Sequence, residues 1–218
     1  MNFKGVIFDL FGTLVPYVGK DEFSASLIPI AQLLEVELET IENIWSTEAG
    51  FYKAITVYSS TYERIFDLCR VLGIDNETKI IEAIRSRLLA HKKWLIPKKT
   101  TIETLKRVKD KNLKVGLVSD CSAEVFELWE STVISKYIDV PLFSCIEKMN
   151  KSGLAIFKLC YNRMELAPEE IVYVGDALSE LKFAQELGMV PVLIKTRKQV
   201  HWTGDTISEP TEVLKFLL

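Results

Sequence analysis

MNFKGVIFDLFGTLVP, residues 1–16, is the stretch from which the whole chain can be read. Phe3–Phe8 is a short apolar run of the kind that forms a strand covered on both faces, and it stops at a carboxylate, Asp9. Gly12 and Thr13 follow. Gly12 suits a turn in which the backbone comes close to a ligand, and the Thr13 hydroxyl is placed to orient Asp9. Phe11 stands two places after Asp9, where a second carboxylate would make chemical sense.

The same strand signal recurs along the chain. Lys4–Asp9 (KGVIFD), Leu113–Ser119 (LKVGLVS), Leu142–Cys145 (LFSC), Ile171–Gly175 (IVYVG) and Pro191–Ile194 (PVLI) all read as strands. Helical patterns lie between them, over Thr100–Lys111, Gly153–Glu165 and Leu178–Leu187, with Gly188 as a C-cap. This alternation predicts an α/β fold with a doubly wound, mostly parallel sheet. One segment breaks it. From about Lys20 to Leu95 only helical spacing is seen, as in Phe23, Leu27, Ile30, Ala31 and Leu34, or Ile65, Leu68, Cys69 and Leu72 before Gly73. About four helices there are too many for one crossover. They predict an inserted all-helical cap domain over residues 17–96, and a core domain made of residues 1–16 and 97–218.

Composition narrows the function. Of 218 residues, 48% are hydrophobic and 26% charged, and the net charge is −3. That is enough apolar material for a core, and no basic stripe marks a nucleic-acid or membrane surface. The N-terminal apolar run is cut by Asp9 and has no basic flank, so neither a signal peptide nor a membrane helix is predicted, and a cytoplasmic location is expected. Cys69, Cys121, Cys145 and Cys160 form no C-x-x-C pair and read as buried, reduced thiols. His91, beside two lysines, and His201 both read as surface residues.

In an open parallel sheet, ligands bind beyond the carboxyl ends of the strands. The polar residues at those ends are Asp9, then Ser119 and Asp120, then Gly175-Asp176 followed by Glu180. Lys151 precedes the helix that leads into the fourth strand. Asp176 and Glu180, four apart, share one face of the turn entering a helix. With Asp9 they compose a hard oxygen set suited to Mg²⁺.

DLFGT, LVSD, Lys151 ahead of AIF, and VGDALSE, in this order, resemble the four motifs of the haloacid dehalogenase-like (HAD) hydrolases, and the resemblance covers essentially the whole chain. It implies a Rossmann-like core with a helical cap inserted after the first motif. It also implies a hydrolase with Asp9 as nucleophile, and with Ser119 and Lys151 binding the anionic oxygens of the substrate. Gly12, Thr13 and Asp120 then shape the substrate site, and Mg²⁺ is held by Asp9, the backbone carbonyl of Phe11, Asp176 and Glu180. Lys148 competes with Lys151, and Ser152 replaces the family's usual proline. The implied substrate is a small phosphorylated metabolite, with no nucleic-acid or membrane partner; monomer and homodimer stay open.

Phe11 departs from the phosphatase pattern, where a second Asp at this place protonates the leaving group and activates water. Such help is worth about 10²–10⁴-fold. A phosphohydrolase whose leaving group needs little help, an acyl phosphate for example, fits, with Asp120 as a substitute acid. A dehalogenase, which carries an aromatic residue here, is the alternative. Those enzymes lack the Gly-Asp fourth motif and use an early cap arginine, whereas the first arginine here is Arg64. A catalytically impaired binding protein is a third reading. No G-x-S-x-G, G-x-G-x-x-G or Walker pattern is present.

Overall fold

The computed structural model describes residues 3–196 and 200–217. Six strands form one parallel sheet: β1 (Gly5–Phe8), β2 (Lys114–Ser119), β3 (Val140–Phe143), β4 (Ile171–Gly175), β5 (Val190–Ile194) and β6 (Thr206–Ile207). Their order is β3-β2-β1-β4-β5-β6. β1 is central: Phe8 lies in register with Leu117 on one side and Val174 on the other. The chain winds one way from β1 to β3 and the other way from β4 to β6, so the crevice where the winding reverses lies at the end of β1.

Alternate residues of each strand feed two cores. Val6, Phe8, Val115, Leu117, Val172 and Val174 pack against α7 (Thr101–Asp110) and α8 (Ala123–Trp129). Ile7, Val118 and Tyr173 face the other way, onto α10 (Ala155–Met164) and α11 (Leu178–Glu186). A short helix, α9 (Ser144–Glu147), follows β3. This is the doubly wound α/β sheet predicted from the alternation.

Three details differ from the sequence reading. β3 spans Val140–Phe143, because Ser144 and Cys145 already belong to α9. β6 was not predicted, being two residues in a polar stretch with no apolar run to betray it. Between β1 and α7 lie six helices rather than about four: α1 (Lys20–Ala25), α2 (Ile28–Leu34), α3 (Leu38–Trp45), α4 (Glu48–Thr56), α5 (Thr61–Val71) and α6 (Glu77–Trp94). Short breaks divide what periodicity reads as continuous; Glu35, at φ 58°, ends α2. α2, α3, α5 and α6 share a hydrophobic cluster of their own, with Leu27, Ile30, Ile41, Ile65, Leu68 and Ala83 buried in it and Phe23 of α1 packed against it. Among the described residues no helix is long and apolar enough to cross a membrane.

Candidate active site

β1 delivers Asp9 to the crevice. The Asp9 N–H continues the sheet pairing by donating to Val174 O at 2.9 Å. Residues 10–15 then fold into a tight turn, with Val15 N–H on Leu10 O at 3.0 Å and Gly12 N–H on Val15 O at 2.9 Å. Gly12 sits at φ +86°, and a β-carbon there would lie 2.5 Å from Asp176 Oδ2. Glycine is therefore needed twice, for the backbone angle and for the carboxylate pressed against it.

Asp9 is 4% exposed. Thr13 Oγ1 donates to its Oδ2 at 3.0 Å, and Lys151 Nζ donates to its Oδ1 at 2.5 Å. Asp9 thus has one oxygen on the turn threonine and the other on the lysine. Lys151 is itself buried, and its backbone N–H donates to Asp120 Oδ1 at 2.9 Å, which ties the second and third motifs together. Burial pulls its ammonium pKa down, but the Asp9, Glu180 and Asp120 carboxylates outweigh burial and hold it above the ordinary lysine range. Lys148 is not at the site. It adopts φ +57° and its Nζ reaches Val57 O and Ser59 Oγ, at 2.8 and 2.6 Å, on the helical insertion. Ser119 ends β2 fully buried, and its Oγ has no hydrogen-bond partner; the nearby Cys121 thiol interacts with it without bonding geometry.

Glu180, placed with the oxygen ligands from sequence, has both oxygens paired with side chains: Oε1 pairs with Lys151 Nζ at 2.7 Å, and Oε2 accepts from Tyr173 OH at 2.5 Å. Tyr173 points inward from β4, and a buried phenol must find a partner. Glu180 is the counter-ion of the lysine. Burial pushes its carboxyl up to about 7, with Asp9 adding and Lys151 opposing. Among the described residues no three His, Cys, Asp or Glu side chains gather as a metal cluster. The hard donors around the Gly12 turn are the Asp9 and Asp176 carboxylates and backbone carbonyls.

Lys98 was not singled out from sequence. Its Nζ donates to Gly12 O, and its backbone N–H donates to Leu14 O at 3.0 Å, so the segment re-entering from the insertion braces the Asp9 turn. Burial lowers its pKa, against the pull of Glu209, Asp176 and Asp9. Only its position just after Pro97 could have signalled this.

A sequence model of the haloacid dehalogenase-like hydrolases matches residues 3–188. The chain belongs to the haloacid dehalogenase-like hydrolase family. The glyceraldehyde 3-phosphate phosphatase of Methanocaldococcus jannaschii is 31% identical over 219 residues, covering 95% of this chain and 92% of the relative. That of Methanopyrus kandleri is 30% identical over 201 residues, covering 89% and 85%. A HAD-family enzyme from Bacteroides thetaiotaomicron, solved with magnesium and inorganic phosphate, aligns with a TM-score of 0.68 at 18% identity, over 93% of this chain and 98% of that one. At that identity the likeness is one of fold.

In this HAD hydrolase two cavities open beside the strand ends. The smaller, about 320 Å³, has Lys151, Glu180 and Asp120 in its wall. The larger, about 670 Å³, lies between the insertion and α8 and is walled by Phe11, Trp45, Trp94, Arg64, Arg87 and His91, among others. Glu48, Phe51, Ile55 and Asp120 border both. Phe51 and Tyr52 are exposed, Trp45 is buried, and Lys53 is exposed with Asp67 at 3.9 Å. His91, read as a surface residue, is buried. Its Nδ1 lies 3.0 Å from Arg87 O and its Nε2 3.3 Å from Ser122 Oγ, and burial lowers its pKa to about 4. The two neighbouring lysines point the sequence reading outward, while α6 turns this one position toward α8.

Proposed function

We propose that the chain is a Mg²⁺-dependent phosphohydrolase acting on a small phosphorylated metabolite through a phospho-Asp9 intermediate. The observation that carries this is the buried Asp9 carboxylate held by Thr13 on one oxygen and Lys151 on the other, at the sheet's switch point. A carboxylate fixed this way is oriented for attack, and a covalent intermediate divides one hard displacement into two easier ones. Phosphatase-named relatives at about 30% identity over most of the chain support the reading.

Asp9 Oδ2 forms the bond to phosphorus as the bond to the leaving oxygen breaks. Lys151 and the unpartnered Ser119 hydroxyl hold the equatorial oxygens, where negative charge is spread. Water then attacks phosphorus and releases phosphate with Asp9 restored. Glu180, through Oε1, keeps the lysine ammonium aimed at the nucleophile, and Tyr173 keeps Glu180 in place.

The donors beside Gly12 fit Mg²⁺. Asp9, Asp176 and the Phe11 carbonyl are hard oxygens, and the Gly12 cradle seats the Asp176 carboxylate against the turn that carries the other two. Two carboxylates and a carbonyl leave positions for water and phosphate, which is how Mg²⁺ is usually held. When bound, the ion neutralises charge between a carboxylate nucleophile and a dianionic phosphate.

Phe11 supplies no proton. Its ring packs on the main core and borders the larger cavity, so the space beside the leaving oxygen is apolar. This favours leaving groups stable as anions. Asp120 borders the same space, and burial raises its carboxyl, with Lys151 opposing, so it is the acid available for poorer leaving groups. The test is phosphate release from p-nitrophenyl phosphate, acetyl phosphate and glyceraldehyde 3-phosphate, with and without Mg²⁺, alongside chloride release from 2-chloropropionate. Mg²⁺-dependent phosphate release that vanishes in Asp9→Asn is expected. Metal-independent chloride release would overturn the assignment in favour of dehalogenase chemistry.

A further inference from the structure

The larger cavity holds a charge imbalance that catalysis at Asp9 does not use. Glu124 of α8 is fully buried. Its Oε1 accepts from Arg64 Nη1 at 3.1 Å and from Arg87 Nε at 3.2 Å. Arg87 Nη1 also donates to Ser26 Oγ at 3.0 Å. Arg64 and Arg87 are 3% and 0% exposed, so two buried guanidiniums share one buried carboxylate. Two donors remain without partners, Arg64 Nε and Arg87 Nη2. Of the ionisable groups beside this cluster, His91 is neutral at pH 7, its pKa lowered by burial to about 4, and the Tyr58 phenol is neutral too, its pKa raised to about 12 by burial and Asp67. The cluster therefore carries one net positive charge.

Indole faces cover much of it: the Arg64 guanidinium lies 4.2 Å from the Trp45 ring centre, and that of Arg87 lies 5.3 and 5.7 Å from Trp45 and Trp94. Aromatic faces attract a cation but give the N–H groups no conventional acceptor. A buried net charge beside unmet donors is costly unless an anion completes it. Arg64, Arg87, Trp45 and Trp94 all wall the cavity, and so do Phe11 and Asp120. A volume near 670 Å³ exceeds the need of a three-carbon leaving group and is within the range of ordinary ligand pockets.

We propose that the leaving-group part of the substrate occupies this cavity and carries a second oxyanion, a carboxylate or a second phosphate, received by Arg64 and Arg87, with an apolar body lying between Phe11 and the two indoles. The reacting end of this assignment rests on the phosphatase reading; the anion subsite itself rests on the cluster alone.

The experiment compares 4-methylphenyl phosphate, 4-carboxyphenyl phosphate and 1,4-phenylene bisphosphate. Each is measured by kcat/KM with wild-type protein and by calorimetric Kd with Asp9→Asn. Both anionic esters should be favoured at least tenfold over the methyl ester, and whichever is stronger identifies the natural anion. Arg64→Gln should shrink the preference to within twofold, while Arg64→Lys, which keeps the charge, retains part of it. Thermal melting establishes that each variant is folded, and if Arg64→Gln does not fold, the wild-type comparison decides by itself. Hydrolysis of all three esters with no anion preference overturns the subsite and leaves the phosphatase reading standing. An anion preference in Kd with no hydrolysis of any ester upholds the subsite and removes the phosphatase reading.

Discussion

Replacing Gly12 by alanine separates a backbone cost from a catalytic one. Gly12 sits at φ +86°, where an L-residue costs about 1–2 kcal/mol. The added β-carbon would also lie 2.5 Å from Asp176 Oδ2 and 2.9 Å from its Cγ. Ordinary contact begins near 3.4 Å, so the carboxylate or the turn must move by about 0.9 Å. A displacement of about 1 Å among groups that position a reaction costs about 10²-fold. Gly12→Ala should therefore lose about 1–3 kcal/mol of stability in urea unfolding and about 100-fold in kcat/KM. It should also raise the Mg²⁺ concentration needed for half-maximal rate. Gly73 is the control. It has φ +69°, and a β-carbon added there would meet nothing within 4 Å, so Gly73→Ala should show the backbone cost alone with unchanged kinetics. If Gly12→Ala matches Gly73→Ala, with kcat/KM within threefold of wild type, then Asp176 has no catalytic role at that position and the cradle is only a turn.

Phe11→Asp restores an acid beside the leaving oxygen, and turnover of an alkyl phosphate should rise by about 10²-fold, set against that of an aryl phosphate; a gain below tenfold contradicts the missing-acid account. Glu180→Gln removes the lysine's counter-ion and should lower kcat more than it raises KM, whereas a change in Mg²⁺ affinity alone would restore Glu180 to the ligand set. His91 gives a stability test with a definite sign. Its pKa is near 4 in the fold, lowered by burial, against about 6.5 unfolded, so the unfolded chain takes up the proton first. The contribution is intact above pH 6.5 and is lost as pH falls toward 4, by about 3 kcal/mol at most. Urea midpoints measured across that range should fall steeply in wild type and less steeply in His91→Gln; parallel curves would show that His91 is not the group titrating.

The strand-end positions Asp9, Ser119 and Asp176 were legible because parallel β/α winding converts chain order into spatial convergence, and because short apolar runs mark each strand. Lys151 required the motif order, since periodicity alone could not separate it from Lys148. The outcome for Glu180 shows the limit. Spacing put it beside Asp176 in the chain, but its partners are Tyr173 of β4 and Lys151 from another loop.

The insertion shows the same division more sharply. Helical periodicity reports which side of a helix is apolar, so the buried cluster around Leu27, Ile41 and Leu68 was predictable in kind. It does not report charged residues buried on the same face. Arg64 and Arg87 lie 60 and 37 residues from Glu124, the carboxylate they share. Read singly, each has the ordinary signature of an exposed residue. By itself, then, the sequence determined five of the six strands, the presence of a helical insertion and the polar residues at the strand ends, because those follow from local pattern and winding. Only the tertiary structure decided which buried charges meet, because that depends on helices from the insertion and the core packing against each other at long range.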